Sequence, residues 1–173
     1  MEFLKNMHDF TELAYNCTEF TLQTLREANE RVIEELQTSS KSPLVKALQM
    51  LQLSKAFFIV GIFSMFEANL QDSLDCKDGF KRAKEILEDK KQHVTKERFN
   101  DLYLAINVLK HGRGSSYDTL VAKAESLPFR IKLPDECFFS EGDVSEVRTL
   151  VEVNDEFVEY CLRVIREVSV CVE

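Results

Sequence analysis

Proline and glycine are scarce in this chain: three Pro and five Gly in 173 residues, with no Trp at all. A fold of many short strands needs more turn residues than that, so an all-β sandwich or barrel is excluded. Histidine is also rare. His8, His93 and His111 fall in different predicted elements, with no HxxxH or HxxE spacing, which argues against a metal site. The five cysteines (Cys17, Cys76, Cys137, Cys161, Cys171) are odd in number and form no CxxC pair, so neither a disulfide framework nor a zinc site is expected. Reduced thiols in a cytoplasmic protein fit this pattern, with Cys17 and Cys161 on apolar helical faces as small hydrophobes. No basic start followed by an apolar run marks a signal peptide. The most apolar segment, Ala56 to Phe66, has 11 residues between Lys55 and Glu67, against about 20 for a membrane span. It reads as a core helix, and no membrane association is expected. GxSxG and phosphate-loop motifs are absent, and no cofactor is expected.

What is present is helical periodicity. With 45% hydrophobic residues the chain fills a single domain over 1–173. Residues 3–37 carry Phe3, Met7, Phe10, Ala14, Cys17, Leu25, Ala28, Val32 and Leu36 at steps of three and four. A break at Thr38–Pro43 precedes a second helix over about 43–74. From Ala56 to Phe66 that helix is apolar all round, which predicts neighbours on every side, and Gly61 inside it implies close approach of another helix. A third helix is predicted over 77–90, with Phe80, Ala83, Ile86 and Leu87 inward. A fourth covers 95–111, with Thr95 as its N-cap and His111-Gly112-Arg113-Gly114 as its stop. Beyond it, a short helix is expected over Tyr117–Ser126. Phe129–Leu133 alternates like a strand that Leu150–Val153 could pair with as a short β-hairpin. Asn154 is placed to cap a final helix, with Val153 and Val158 as a hydrophobic staple. The expected fold is therefore all-α in the main. It consists of a bundle of four or five helices over 1–114 and an extension over 115–173 packed on it.

Charge is unevenly spread over a net −8: residues 1–40 sum to −5, 41–76 to zero, 77–134 to +5 and 135–173 to −8. The middle third could face an anion, or it could be a solvated charged face.

The fourth helix holds the candidate chemistry. Tyr103, Asn107 and His111 are each four residues apart and share a face, which Asn100 extends. Two readings stand side by side. Either His111 caps the helix C-terminus, where a cationic imidazole is favoured, or it works as a general acid/base lining a cleft or subunit interface. Glu67, at the end of the apolar run, needs a partner if buried, with Tyr103, Lys110 or His111 as candidates.

Phe-Ser-Met-Phe-Glu at 63–67 and Ile-Asn-Val-Leu-Lys-His-Gly at 106–112 resemble the HEPN superfamily over roughly residues 1–114. The resemblance implies a bundle of four or five helices, frequent homodimerisation, and either metal-independent RNA cleavage or a non-catalytic role in toxin–antitoxin, phage-defence and related systems. His111 matches the motif histidine and Asn107 the polar residue after the motif arginine, but Ile106 stands where that arginine belongs. Lys110 or Arg113 would have to replace it.

Three functions follow. The first is a non-catalytic or weakly active HEPN-like protein that binds a protein or RNA partner. The second is a ribonuclease using His111, with Asn107 positioning and Arg113 on the phosphate. The third is an acidic immunity protein whose tail neutralises a basic nuclease toxin. A homodimer with the His111 end of the fourth helix near its two-fold axis is expected.

Overall fold

The computed structural model describes residues 2–39, 42–136 and 147–173, with residues 2–8 by their backbone. The described residues form six α-helices and no strand: α1 (Glu2–Thr38), α2 (Ser42–Ser73), α3 (Gly79–Asp89), α4 (His93–His111), α5 (Ser115–Val121) and α6 (Asp155–Val172), with a 3₁₀ turn at Ala124–Ser126. The all-α expectation is met.

α1 and α2 form a long antiparallel hairpin. α3, α4 and α6 pack against α2, α6 also lies against α1, and α5 rests on α4. The centre of the bundle is aromatic. Phe63 of α2 packs on Phe80 of α3 at 4.6 Å between ring centroids and on Phe99 of α4 at 6.1 Å. Phe66 stacks on Phe10 of α1 at 6.2 Å. Phe63 and Phe66 are one turn apart on α2 and the other rings come from α1, α3 and α4, so a few residues tie four helices together.

α6 is the most fully enclosed helix by pattern. Phe157, Val158, Cys161, Leu162, Ile165 and Val168 are buried along one face, as their spacing predicts. Asn154 caps it by accepting a hydrogen bond from the Phe157 N–H at 2.8 Å, and Val153 and Val158 are both buried beside it. Asp155, in its first turn, binds Arg26 of α1 at 2.6 Å and Lys55 of α2 at 2.7 Å. Burial raises the Asp155 pKa, but the hydrogen bonds from Lys55 and Arg26 more than offset it and hold the group below its usual value.

Several local expectations are corrected. The short hairpin reduces to a single antiparallel bridge between Ile131 and Val151, flanked by Lys132 N–H to Leu150 O at 2.8 Å and Glu152 N–H to Arg130 O at 3.0 Å. One bridged residue per side does not make a strand, and close by Phe129 packs on Phe157. α4 begins at His93, so Thr95 lies inside its first turn and Gln92 is the N-cap, without a side-chain hydrogen bond. Cys17 is exposed, and the buried line of α1 runs instead through Ala14, Thr18 and Leu22. Thr18 is tolerated there because its hydroxyl donates to Ala14 O at 2.8 Å. The side chains of Phe3 and Met7, and Cys137, lie outside the described residues.

The apolar run of α2 is not enclosed on every side. Ile59, Ile62, Phe63 and Phe66 are buried and Phe58 is partly buried, but Phe57 and Met65 face outward. Gly61 faces outward with them, and a Cβ there would meet nothing within 4 Å. The close approach that glycine permits occurs instead at Gly79, where a Cβ would sit 2.7 Å from Glu67 O and 2.8 Å from Leu70 Cβ. Gly79→Ala should therefore cost about 1–3 kcal/mol, the range for overpacking a core, measured by urea denaturation. An unchanged midpoint would mean that α3 can move off α2 at no cost.

Candidate functional site

α4 presents Asn100, Tyr103, Asn107 and His111 along one edge, with the first three half-buried and His111 exposed. The residues between them, Leu102, Ala105, Ile106 and Val108, are buried. The edge is thus the polar margin of the buried face of α4, as its spacing indicates.

Tertiary packing divides this edge into two settings. Tyr103 opens on a cleft of about 590 Å³ between α3, α4 and the C-terminal half of α2, lined also by Glu67, Asp78, Phe80, Lys81 and Lys84. Glu67 and Tyr103 are brought together here, while Asn107, Lys110, His111 and Arg113 are not among the lining residues. Glu67 is half-exposed and has no hydrogen-bond or ion-pair partner among the described residues, so the expected pairing with Lys110 or His111 is not made.

Lys84 organises the cleft and was not a candidate by sequence. Its ammonium donates to Asn100 Oδ1 at 2.9 Å and lies 4.2 Å from the Tyr103 ring centroid. Burial lowers its pKa, the nearby Lys96 lowers it further, and Asp78 opposes both. The sequence does hold a signal for it: Phe80, Ala83, Lys84 and Leu87 follow the inward i, i+3, i+4, i+7 pattern of α3, and a lysine in that pattern must find polar company.

At the other end, α4 stops where Gly112 adopts φ +74°, a left-handed conformation that favours glycine, and its N–H bonds Val108 O at 2.8 Å. α5 starts three residues later. Arg113 is drawn over the Tyr117 ring at 5.4 Å, and the Tyr117 hydroxyl donates to Lys132 O at 2.8 Å. Lys110 and His111 are exposed, and neither has a hydrogen-bond or ion-pair partner among the described residues. Ile106 is 2% exposed, inside the core. The side chain at 106 is thus packed into the bundle and brings no charge to the edge that carries His111.

Acid/base chemistry on RNA needs an oriented base and a cation held at the phosphate. Among the described residues, the α4 terminus supplies an exposed imidazole with no hydrogen-bond partner, an exposed Lys110 and an Arg113 drawn over Tyr117. Among the described residues, no three His, Cys, Asp or Glu side chains gather in a way that could hold a metal ion.

Five of the 13 cations of the positive middle third pair with carboxylates within the fold. Arg82 pairs with Glu85 at 3.3 Å, Lys96 with Glu88 at 2.8 Å and Arg98 with Glu167 at 3.3 Å, while Lys123 pairs with Asp101 and Arg130 with Glu136. On the acidic side, Asp155 and Glu159 both meet Arg26, and Glu167 meets Arg98. Residues 137–146, with three more acids of the −8 tail, lie outside the described residues. No family model, characterised protein or solved structure matches the chain.

Proposed function

We propose that this chain is a non-catalytic, HEPN-like helical protein of the cytoplasm that acts by binding a protein partner. The observation that carries this reading is the burial of residue 106. The motif by which HEPN ribonucleases cleave RNA requires an arginine that reaches the substrate, and here that position is an isoleucine packed in the core. Protein is favoured over RNA because affinity for RNA rests on cations free to neutralise phosphates, while the chain as a whole carries −8 and five of the 13 cations of its +5 segment are paired with its own carboxylates. The likeness of 63–67 and 106–112 to HEPN proteins supplies the setting: a bacterial defence, toxin–antitoxin or immunity system.

The test is incubation of the purified protein with mixed RNA in EDTA, beside His111→Ala. Neither should cleave above background. Were His111 a general acid/base, the variant would lose about 10²–10⁴-fold of the rate with an unchanged helical circular-dichroism signal. Cleavage by the wild type alone would overturn the proposal in favour of a metal-independent ribonuclease in which Asn107 and Arg113 assist His111.

A further inference from the structure

Three of the charged side chains lining the cleft between α2, α3 and α4 are half-buried: Glu67, Lys84 and Lys96. The other charged residues of its wall, Asp78 and Glu85 among them, are exposed and keep their water. Lys96 is matched by Glu88 at 2.8 Å. Glu67 and Lys84 have no such match. Neither forms an ion pair with a described residue, nor do the two pair with each other, although they line the same space. Withdrawing a charge from water without an opposite charge is costly. A cleft that holds one of each sign in this condition is matched by a guest that carries both.

Each of the two charges is held in place. Lys84 donates one N–H to Asn100 Oδ1 at 2.9 Å and lies 4.2 Å from the Tyr103 ring centroid, which leaves two of its three donors unspent. Burial lowers its pKa, as expected of an ammonium short of solvent. Asp78 attracts it, but that carboxylate caps α3 by accepting a hydrogen bond from the Lys81 N–H at 2.9 Å. Glu67 belongs to the α2 wall, whose backbone is pressed against the start of α3 at Gly79. The spacing of the two walls is therefore set by the fold. Phe80 and Tyr103 add an apolar wall, edge to face with 5.7 Å between ring centroids.

We infer that this cleft binds a free amino acid with an apolar side chain. Its carboxylate meets the Lys84 ammonium, its ammonium meets the Glu67 carboxylate, and its side chain lies against Phe80 and Tyr103. The cleft volume of about 590 Å³ is within the ~300–1,000 Å³ of small-molecule sites. A simple anion would leave Glu67 unmatched and be repelled by it, and a simple cation would meet the same difficulty at Lys84. A polyanion such as a nucleotide is disfavoured further, because acids outnumber lysines five to three along the wall. The site uses neither His111 nor residue 106, so it stands apart from the proposed protein-binding role.

The test is calorimetric titration of the purified protein with L-leucine, L-methionine and L-phenylalanine. Each is compared with its N-acetyl derivative, which lacks the ammonium, and its amide, which lacks the carboxylate. At least one of the three should bind saturably at a single site. Its two derivatives should each bind about ten-fold more weakly or worse, as expected when a hydrogen bond to a charged group is lost. In Glu67→Gln the amino acid should lose its advantage over the N-acetyl derivative, and in Lys84→Met its advantage over the amide. Glu67 makes no contact that the fold needs, so Glu67→Gln should melt like the wild type and keep the test valid even if Lys84→Met does not fold. No saturable binding of any of the three at millimolar concentration overturns the site. Derivatives that bind as well as their parent, or an unchanged preference in Glu67→Gln, overturn the recognition of a zwitterion.

Discussion

Arginine at position 106 should unfold the protein instead of restoring a ribonuclease. Ile106 is 2% exposed, on the face of α4 that also buries Phe99 and Leu102. A guanidinium there would be stripped of water with no carboxylate prepared to receive it. Asp101, the buried acid of α4, is already paired with Lys123. Even after relaxation an unpaired buried charge costs several kcal/mol, which is comparable with the whole ~5–15 kcal/mol stability of a domain. Ile106→Arg is therefore expected to lose its cooperative thermal transition, whereas Ile106→Val should cost only about 0.5–1.5 kcal/mol. Circular-dichroism melts of the two variants beside the wild type make the comparison. An Ile106→Arg protein that melted like the wild type and cleaved RNA would show that α4 can turn this position outward, and would remove the main support for a non-catalytic role.

The elements that could be read from sequence are those whose signals are local. Asn154 is followed at helical spacing by Phe157, Val158, Cys161 and Leu162, and both the cap and the buried face appear as expected. The stop at Gly112 is equally local, because a positive φ ends the helix wherever the rest of the chain lies. The expected close approach at Gly61 is not found, for a physical reason. The need for a missing Cβ depends on what approaches it, and periodicity cannot tell that Gly79 meets the α2 backbone while a Cβ at Gly61 meets nothing within 4 Å among the described residues. The apolar run around Gly61 signalled burial correctly in kind, but a single chain encloses only part of it.

The candidate site was legible as a line and not as a place. Four-residue spacing put Asn100, Tyr103, Asn107 and His111 on one edge, and that edge exists. Its division between a cleft holding Lys84 and a solvated helix end depends on where α3 packs, which no spacing on α4 encodes. The +5 segment misleads in the same way. Some of its partners are distant in sequence, as Glu167 is from Arg98, so a run of cations looks free until the chain is folded.

The second large effect is expected at Phe63. Its ring lies 4.6 Å from Phe80 and 6.1 Å from Phe99, and it is also in contact with Phe66. Truncation to alanine removes apolar contact with α3 and α4 at once. Phe80 and Phe99 are anchored on separate helices, so they cannot collapse into the space left. Phe63→Ala should cost about 3–5 kcal/mol, the range for a large aromatic in a close-packed core, while Phe63→Leu should cost less. Phe57, six residues earlier on the same helix, supplies the contrast. Its ring is 69% exposed, so Phe57→Ala should change stability by no more than about 0.5 kcal/mol, as surface substitutions do. Urea titrations of both variants beside the wild type make the comparison. A Phe63→Ala loss below about 1 kcal/mol would mean that the aromatic cluster is not the centre of the core.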